Sequence, residues 1–212
     1  MAQLAPIRLL KQIKYAIVHH SAVNPGAKNK QEAINRAFKY DALHGSKSYA
    51  LETNGKFGFK YASYHYIIAR DGSITQLQDI KFIRNHCSDN WRGEQSANKY
   101  GVAILLDGHF DIERPSDAQI NSAVSLIKKL NQATGNKLII RGHNEQSAPY
   151  FPTGCPGKYM GASTNPSSKL SLIINKVNNI SIVALVIIAI GILLVFFKDL
   201  FIIKEEDNDD NP

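Results

Sequence analysis

Three residues, far apart in the chain, could together hold a catalytic metal ion. His19 ends a short apolar run, His143 directly follows another, and Cys155 lies twelve residues further on. Strand ends hold side chains rigidly, and imidazole and thiolate are good zinc ligands. Three protein ligands leave the fourth position to water, as in a catalytic zinc site. The spacing alone is unspecific, since a single histidine at a strand end is more often structural.

Three short apolar runs predict strands that could position these residues. Residues 15–18, 101–106 and 138–140 are rich in strand-forming residues, and they indicate buried strands. His19 and His143 would then follow the ends of the first and last of these strands.

Turn and helix signals complete the pattern. Asp71-Gly72 lies between two strand-like runs, and this dipeptide is a strong signal for a β-hairpin. Residues 30–43 have apolar side chains on one face and a glycine just beyond the end, which predicts a helix. Ser116 and Gln119 form a capping box before a run of helically spaced apolar residues, which predicts a second helix.

The distribution of charge suggests an anionic partner. The chain of 212 residues has a net charge of +7, but residues 181–212 contain two lysines and six acidic residues, so residues 1–180 carry +11. Such a domain could meet nucleic acid, a lipid surface or a cell-wall polymer. No basic stripe with interleaved aromatic residues is present, so we expect no nucleic acid partner.

The C-terminal part of the sequence predicts a membrane anchor. Residues 180–197 contain no charged side chain, and eighteen helical residues span about 27 Å, close to the hydrocarbon thickness of a bilayer. We therefore predict a domain over 1–160, a linker over 161–179, a transmembrane helix over 180–203 and an acidic tail over 204–212. The expected location is a membrane, either that of a virion or the envelope of a bacterial host, with the lipid bilayer as a partner.

Five stretches of the sequence resemble successive blocks of the type 2 zinc N-acetylmuramoyl-L-alanine amidases, a family that includes phage amidase-type lysozymes and animal peptidoglycan recognition proteins. In chain order they are IVHHSAV, ASYHYIIARDGSI, NKYGVAILLDG, PSDAQINSAVSLIKKL and IIRGHNEQSAPYFPTGCPG. The resemblance extends over about residues 13–160, and blocks that agree in order are more specific than any single one. It implies an α/β fold with a mixed central β-sheet flanked by helices, to which the sequence adds the C-terminal transmembrane helix.

The resemblance implies a zinc ion as cofactor, with His19, His143 and Cys155 as its ligands. His20 is the near competitor of His19, and because adjacent strand residues point to opposite faces, we expect only one of the two to bind the metal. Cys87 matches no metal-binding position of the family, so we expect it to remain a reduced thiol.

Three further residues are assigned by the same resemblance. Tyr64 matches the tyrosine that is thought to orient or deprotonate the attacking water. Thr153 lies where some members have a lysine, and its hydroxyl could donate to the developing oxyanion. His86 matches a histidine that lines the family's groove, which implies a contact with substrate.

The implied reaction is hydrolysis of the amide bond between N-acetylmuramic acid and L-alanine of the stem peptide, with peptidoglycan as the partner. The implied setting is a phage enzyme for lysis or for penetration of the host wall. The alternative is a non-catalytic peptidoglycan-binding receptor, because members that lose a zinc ligand bind without cutting. The presence of all three ligand candidates and of Tyr64 favours the enzyme.

Overall fold

The computed structural model of the chain describes residues 3–48, 50–87, 96–147 and 152–179. The chain divides into one compact unit over residues 1–177 and a second over 178–212. Of the second unit, only residues 178 and 179 are described.

Seven strands form two sheets in the described part of the chain. In chain order they are β1 (Gln3–Leu4), β2 (Tyr15–His20), β3 (Leu51–Glu52), β4 (Tyr66–Ile68), β5 (Ile74–Gln76), β6 (Gly101–Leu106) and β7 (Ile139–Gly142). Strands β1 and β3 make a small parallel pair, and the other five form the central sheet in the order β5-β4-β6-β2-β7. All pairs in the central sheet are parallel except the hairpin of β4 and β5. The predicted mixed sheet is confirmed.

Strand β2 lies between β6 and β7 and carries the first of the ligand candidates. Its residue His19 is in register with Leu105 of β6, and Val18 is in register with Gly142 of β7. Every residue of β2 and of β6 is buried, as expected for central strands of a sheet that is covered on both faces. Because these strands are parallel, their carboxyl ends meet at one edge of the sheet.

Helices cover both faces of the central sheet. Among the residues that the structure describes, these are a single 3-10 turn (Leu10–Gln12) and five α-helices, α1 (Lys30–Gly45), α2 (Ala97–Tyr100), α3 (Asp117–Thr134), α4 (His143–Ser147) and α5 (Lys169–Asn178). The predicted capping box opens α3, since Ser116 accepts from the backbone of Gln119 and the Gln119 side chain accepts from the Ser116 backbone. The helix ends at Thr134 and is capped by Gly135, whose φ of 69° is readily adopted only by glycine.

The two faces of the sheet have separate hydrophobic clusters. On one face, side chains of α3 and α5 such as Ile127 and Ile173 pack with Val18 and Ile104. On the other face, the alanines of α1 pack with side chains that include Leu105. A mixed sheet flanked by helices is therefore the fold of this unit, as predicted.

Residues 161–179, for which the sequence indicated a linker, contain α5. Leu170 and Ile173 of this helix are completely buried in the core of the first unit. The chain from 169 to 177 is thus part of the packed domain.

The structure contradicts the predicted transmembrane helix and, with it, the predicted membrane location. Among the described residues, none of the helices is both long and apolar enough to cross a bilayer. Helix α3 has 18 residues but includes Asp117, Lys128 and Lys129, and α5 has 10 residues, which span about 15 Å, half the hydrocarbon thickness. Residues 180–203, where the span was predicted, lie outside the described residues. The fold class that the structure supports is α/β, with a mixed sheet flanked by helices.

Candidate metal centre and adjoining cavity

The three ligand candidates meet at the carboxyl-terminal edge of the central sheet. His19 lies near the end of β2, and His143 directly follows β7, its parallel neighbour. Cys155 lies in the segment that crosses this edge, where the backbone N–H of His20 donates to its Sγ at 3.3 Å. The parallel register of β2 and β7 therefore brings together two histidines that are 124 positions apart in the sequence.

A glycine allows the Cys155 segment to approach the end of β7. A Cβ atom on Gly142 would lie 2.6 Å from Asn144 Oδ1 and 2.9 Å from Pro156 Cδ. Any larger residue would have to displace the segment that carries Cys155. The close approach of this segment to His143 thus depends on the missing side chain at position 142.

The geometry of the trio suits one shared ion. One ligand atom from each of His19, His143 and Cys155 lies within 4.8 Å of the other two. His19 Nδ1 is 3.7 Å from Cys155 Sγ, and the rings of His19 and His143 have centroids 4.6 Å apart. The structure therefore brings together the three residues that the sequence singled out.

An unsatisfied nitrogen supports the interpretation as a metal site. His143 Nε2 is buried and has no hydrogen-bond partner among the described residues. A buried polar atom without a partner costs free energy, so such atoms are rare and call for an explanation. A bound cation would satisfy this nitrogen, and a set of two imidazoles and a thiolate is characteristic of zinc. The residues present fit a zinc ion.

Burial sets the protonation of the trio. It lowers the pKa of His19 well below 6.5, with smaller contributions from His143 and His86, and it lowers the pKa of His143 to about 4, with a contribution from His20. Both imidazoles are therefore neutral at pH 7, as metal binding requires. Burial raises the pKa of the Cys155 thiol to about 12, partly opposed by the His20 backbone N–H. The thiol must lose its proton when a metal binds.

The competitor His20 has a different hydrogen-bonding role. Its Nδ1 accepts from the backbone N–H of Phe110 at 3.1 Å, so in the neutral ring the proton is on Nε2. His20, His109 and Asp111 also lie close enough to share an ion. However, the His20 lone pair that such an ion would need is already used by Phe110. This arrangement favours His19 over His20 as a ligand.

A cavity of about 370 Å³ adjoins the trio. Its walls include His44, Ser63, Tyr64, His86, Cys87 and His143. The Tyr64 ring meets the His19 ring edge-on at 5.2 Å between centroids, so the predicted catalytic tyrosine both lines the cavity and contacts a ligand candidate. A molecule that entered this cavity would lie next to the ligand candidate His143.

His44 was not identified from the sequence. It lies in the last turn of α1, its Nδ1 accepts from the backbone N–H of Ser63 at 3.3 Å, and its ring is 5.9 Å from that of Tyr64. Burial is the main cause that lowers its pKa. A histidine near a helix end is common, so only its position in the folded cavity wall distinguishes it.

Thr153 is held beside the ligand cysteine. Its Oγ1 accepts from the backbone N–H of Cys155 at 3.2 Å, which fixes the hydroxyl oxygen and leaves its hydrogen to donate. The side chain is half-buried. The threonine hydroxyl is thus held next to Cys155.

His86 and Cys87 lie on the opposite side of His19 from Cys155. His86 is buried, its Nδ1 is 3.1 Å from His19 Nε2, and its Nε2 is 3.2 Å from the carbonyl oxygen of Ala97. The Cys87 Sγ is 3.3 Å from His86 Nδ1, and Cys87 is not part of a disulfide. His86 therefore contacts both the cavity and a ligand candidate.

Comparisons with known proteins identify a family and similar folds. The family profile described as N-acetylmuramoyl-L-alanine amidase matches residues 9–158, and no curated protein sequence matches the chain. Among solved structures, the amidase LysC from Clostridium intestinale is similar with a TM-score of 0.55 at 18% identity, covering 84% of this chain and 93% of LysC.

Two peptidoglycan recognition proteins (PGRPs) are similar as well. Bumblebee PGRP-SA has a TM-score of 0.56 at 21% identity, covering 74% of this chain and 83% of that protein. A mutant of Drosophila PGRP-LB in complex with tracheal cytotoxin has a TM-score of 0.53 at 19% identity, covering 74% and 79%. At these identities the similarity shows a shared fold.

Proposed function

Because this chain belongs to the N-acetylmuramoyl-L-alanine amidase family, we propose that it is a zinc-dependent peptidoglycan hydrolase that cuts the amide bond between N-acetylmuramic acid and L-alanine. The observation that carries the zinc dependence is the convergence of His19, His143 and Cys155, with one ligand atom of each within 4.8 Å of the others. The unsatisfied His143 Nε2 and the adjoining cavity support the same proposal.

The trio would hold the ion, and its surroundings prepare it to do so. Zinc bound there would supply a water activated at neutral pH and a Lewis acid for the substrate carbonyl. The two imidazoles are kept neutral by burial, and the His20 backbone N–H, which donates to Cys155 Sγ, would stabilise the thiolate. Three protein ligands would leave a coordination position for water or substrate.

Tyr64 and Thr153 would act on the reacting atoms. Tyr64 lines the cavity and packs against His19, so we assign to its hydroxyl the orientation of the attacking water or the removal of its proton. Thr153 has its oxygen fixed by the Cys155 N–H, so its hydrogen can be donated to the carbonyl oxygen as negative charge develops there.

Peptidoglycan fits the chemistry of the domain. Residues 1–180 carry a net charge of +11, by the sequence count above, and a polymer with many carboxylates is attracted to such a surface. A structurally similar mutant of the peptidoglycan recognition protein PGRP-LB is in complex with tracheal cytotoxin, which supports peptidoglycan as the partner of this chain. A phage role in lysis or wall penetration stays a prediction of the sequence resemblance.

The decisive experiment is digestion of purified peptidoglycan by the full chain, with the new chain ends identified. We expect new L-alanine amino termini, loss of activity with a chelator, recovery with zinc, and no activity for Cys155→Ala. New reducing sugar ends instead would indicate a glycosidase. Binding of peptidoglycan without release of any product, in a protein that holds zinc, would favour the receptor alternative.

A further inference from the structure

One backbone carbonyl and two imidazole rings form a hydrogen-bonded series that ends at the proposed metal site. The Ala97 carbonyl oxygen is 3.2 Å from His86 Nε2, and His86 Nδ1 is 3.1 Å from His19 Nε2. On the other side of the His19 ring, Nδ1 is 3.7 Å from Cys155 Sγ. The series links a backbone atom of α2 to a ligand of the metal.

The carbonyl at one end determines where each hydrogen lies. A carbonyl oxygen can only accept, so His86 Nε2 carries a hydrogen and donates it. A neutral imidazole has one N–H, so His86 Nδ1 is an acceptor. His19 Nε2 then donates to it, and the His19 lone pair is on Nδ1, the nitrogen that faces Cys155.

We infer that His86 is a positioning residue that fixes the tautomer and ring orientation of His19, so that the Nδ1 lone pair of His19 is directed into the metal site. The inference rests on the proposed zinc site and adds a residue that acts through a ligand. Metal-binding histidines commonly have their second nitrogen fixed by such an outer partner, usually a carboxylate, carbonyl or water. Here an imidazole takes that place, and a backbone carbonyl sets its tautomer.

The surroundings of His86 hold it in this position. Asn98 Oδ1 accepts from the backbone N–H groups of both His86 and Cys87 at 2.9 Å, and Asn98 Nδ2 donates to the Cys87 carbonyl oxygen at 2.9 Å. Ala97 and Asn98 are consecutive residues of α2, so one short helix fixes both the backbone and the ring of His86. With both nitrogens engaged, any contact of His86 with substrate would use its carbon edge.

A second arrangement of the same atoms makes a contrasting prediction. His19, His86 and Cys87 also have ligand atoms within 4.8 Å of one another, so His86 could itself be a metal ligand. A thiol is a weaker donor than an imidazole N–H, so we assign the His86 lone pair to His19 rather than to the Cys87 thiol. In the first arrangement the hydrogen of the neutral His19 ring lies on Nε2, and in the second it lies on Nδ1.

The direct test is nitrogen NMR of the metal-free full chain with ¹⁵N-labelled histidine. Protonated and unprotonated ring nitrogens have well-separated shifts, so each tautomer can be identified. We expect a hydrogen on Nε2 and none on Nδ1 for both His19 and His86. A hydrogen on Nδ1 of His19 would overturn the inference.

A matched pair of variants tests the consequence for metal binding. His86→Asn keeps an acceptor near the position of Nδ1, whereas His86→Leu has a similar size and no acceptor. We expect His86→Asn to bind zinc nearly as tightly as the unaltered chain in chelator competition, and His86→Leu to bind about 10- to 100-fold more weakly. Thermal unfolding of both variants in the absence of zinc checks that the fold is retained.

The outcomes separate the inference from the proposed function. Failure of the unaltered chain to bind zinc would refute the proposed metal site. Tight binding that His86→Leu leaves unchanged would refute only the positioning role. In the cobalt-loaded protein, loss of a thiolate charge-transfer band in Cys87→Ser, and its persistence in Cys155→Ala, would assign the ion to the His86 and Cys87 group and also overturn the inference.

Discussion

At the scale of single residues, the ligand candidates differ in what must happen before they bind a metal. Burial already holds His19 and His143 in the neutral form, whereas Cys155 keeps its proton because burial raises its pKa to about 12. Metal binding at this site therefore releases a proton, and that proton comes from the thiol.

This difference predicts the pH dependence of zinc affinity. Below the raised pKa of Cys155 the metal-free site holds one proton more than the loaded site, so raising the pH favours binding, by about tenfold per pH unit. Chelator competition between about pH 6 and pH 9 measures the slope. Cys155→Asp supplies a ligand that is already ionised, so its slope should be much smaller; equal slopes would show that the proton comes from another group.

Tyr64 gives a second prediction at this scale. Tyr64→Phe removes the hydroxyl and keeps the ring contact with His19, so we expect zinc affinity to be retained and kcat to fall by about 100-fold or more. Tyr66→Phe is a suitable control, because Tyr66 packs against the core on the other face of the sheet. A loss of zinc from Tyr64→Phe would instead indicate a structural role.

The sequence identified residues of the site unevenly. His19, His143, Cys155 and Tyr64 were found because their types carry chemistry and they match family positions in order. His44 was missed because its role depends on the folded cavity wall. Ala97 could not be found, since it acts through a backbone carbonyl that every residue type has.

At the scale of elements, the start of α3 connects the helix to the hairpin. Ser116 Oγ accepts from the Gln119 backbone N–H at 3.0 Å and donates to the Arg70 carbonyl oxygen at 2.6 Å. Ser116→Ala removes both contacts and should lower the free energy of unfolding by about 1–2 kcal/mol. Ser125→Ala, at an exposed position of the same helix, should leave it nearly unchanged in urea denaturation, and an equal effect of the two would contradict the capping role.

The end of β7 provides another element-scale prediction. Gly142→Ala would place a Cβ atom 2.9 Å from Pro156 Cδ, so the Cys155 segment must move away and zinc affinity should fall, by about tenfold or more given the sensitivity of ligand geometry. Gly154→Ala is the matched control, because its Cβ would have no neighbour within 4 Å. Isothermal titration of both variants with zinc measures the difference; unchanged affinity in Gly142→Ala would show that the segment adapts.

Elements with strong local signals were predicted, and those with weak signals were not. The apolar runs became β2, β6 and β7, and the capping box opened α3 as expected. Helix α5 was assigned to a linker, because a polar stretch rich in serine precedes it and its apolar residues are buried only in the folded core, where they pack with residues distant in the sequence. The strand order was also not predicted from the chain, since parallel neighbours are joined by long crossovers.

At the scale of the whole molecule, buried neutral histidines couple stability to pH. His65 illustrates this away from the metal ligands: its Nδ1 accepts from the Ala103 N–H at 3.0 Å and its Nε2 donates to the Phe82 carbonyl oxygen at 3.0 Å. Burial, followed by the charge of Arg8, lowers its pKa well below 6.5. In mildly acidic solution His65 therefore stays neutral in the folded chain but binds a proton in the unfolded chain.

The sign of the effect follows from that difference. As the pH falls below about 6.5, the unfolded state binds protons that the folded state does not, so the free energy of unfolding decreases by about 1.4 kcal/mol per pH unit for each such proton. Urea denaturation of the metal-free chain between about pH 5 and pH 7.5 measures the slope. His65→Gln should have a smaller slope, and identical slopes would show that His65 is not one of these groups.

The predictions about the whole molecule also differ in how much of the sequence supported them. The α/β sheet with helices on both faces followed from several blocks in the correct order, because each block fixes one element of a known arrangement. The membrane location depended on a single apolar run, and the described helices give it no support.

The position of β2 has a consequence for how the chain acquires its shape during synthesis. Tyr15 is in register with Gly101 on one side and with Ile139 on the other, so the earliest strand of the central sheet leaves the ribosome long before either neighbour exists. Closing such long loops is costly in chain entropy and slow. The edge of the sheet that carries the ligand candidates can therefore assemble only after most of the domain has been translated.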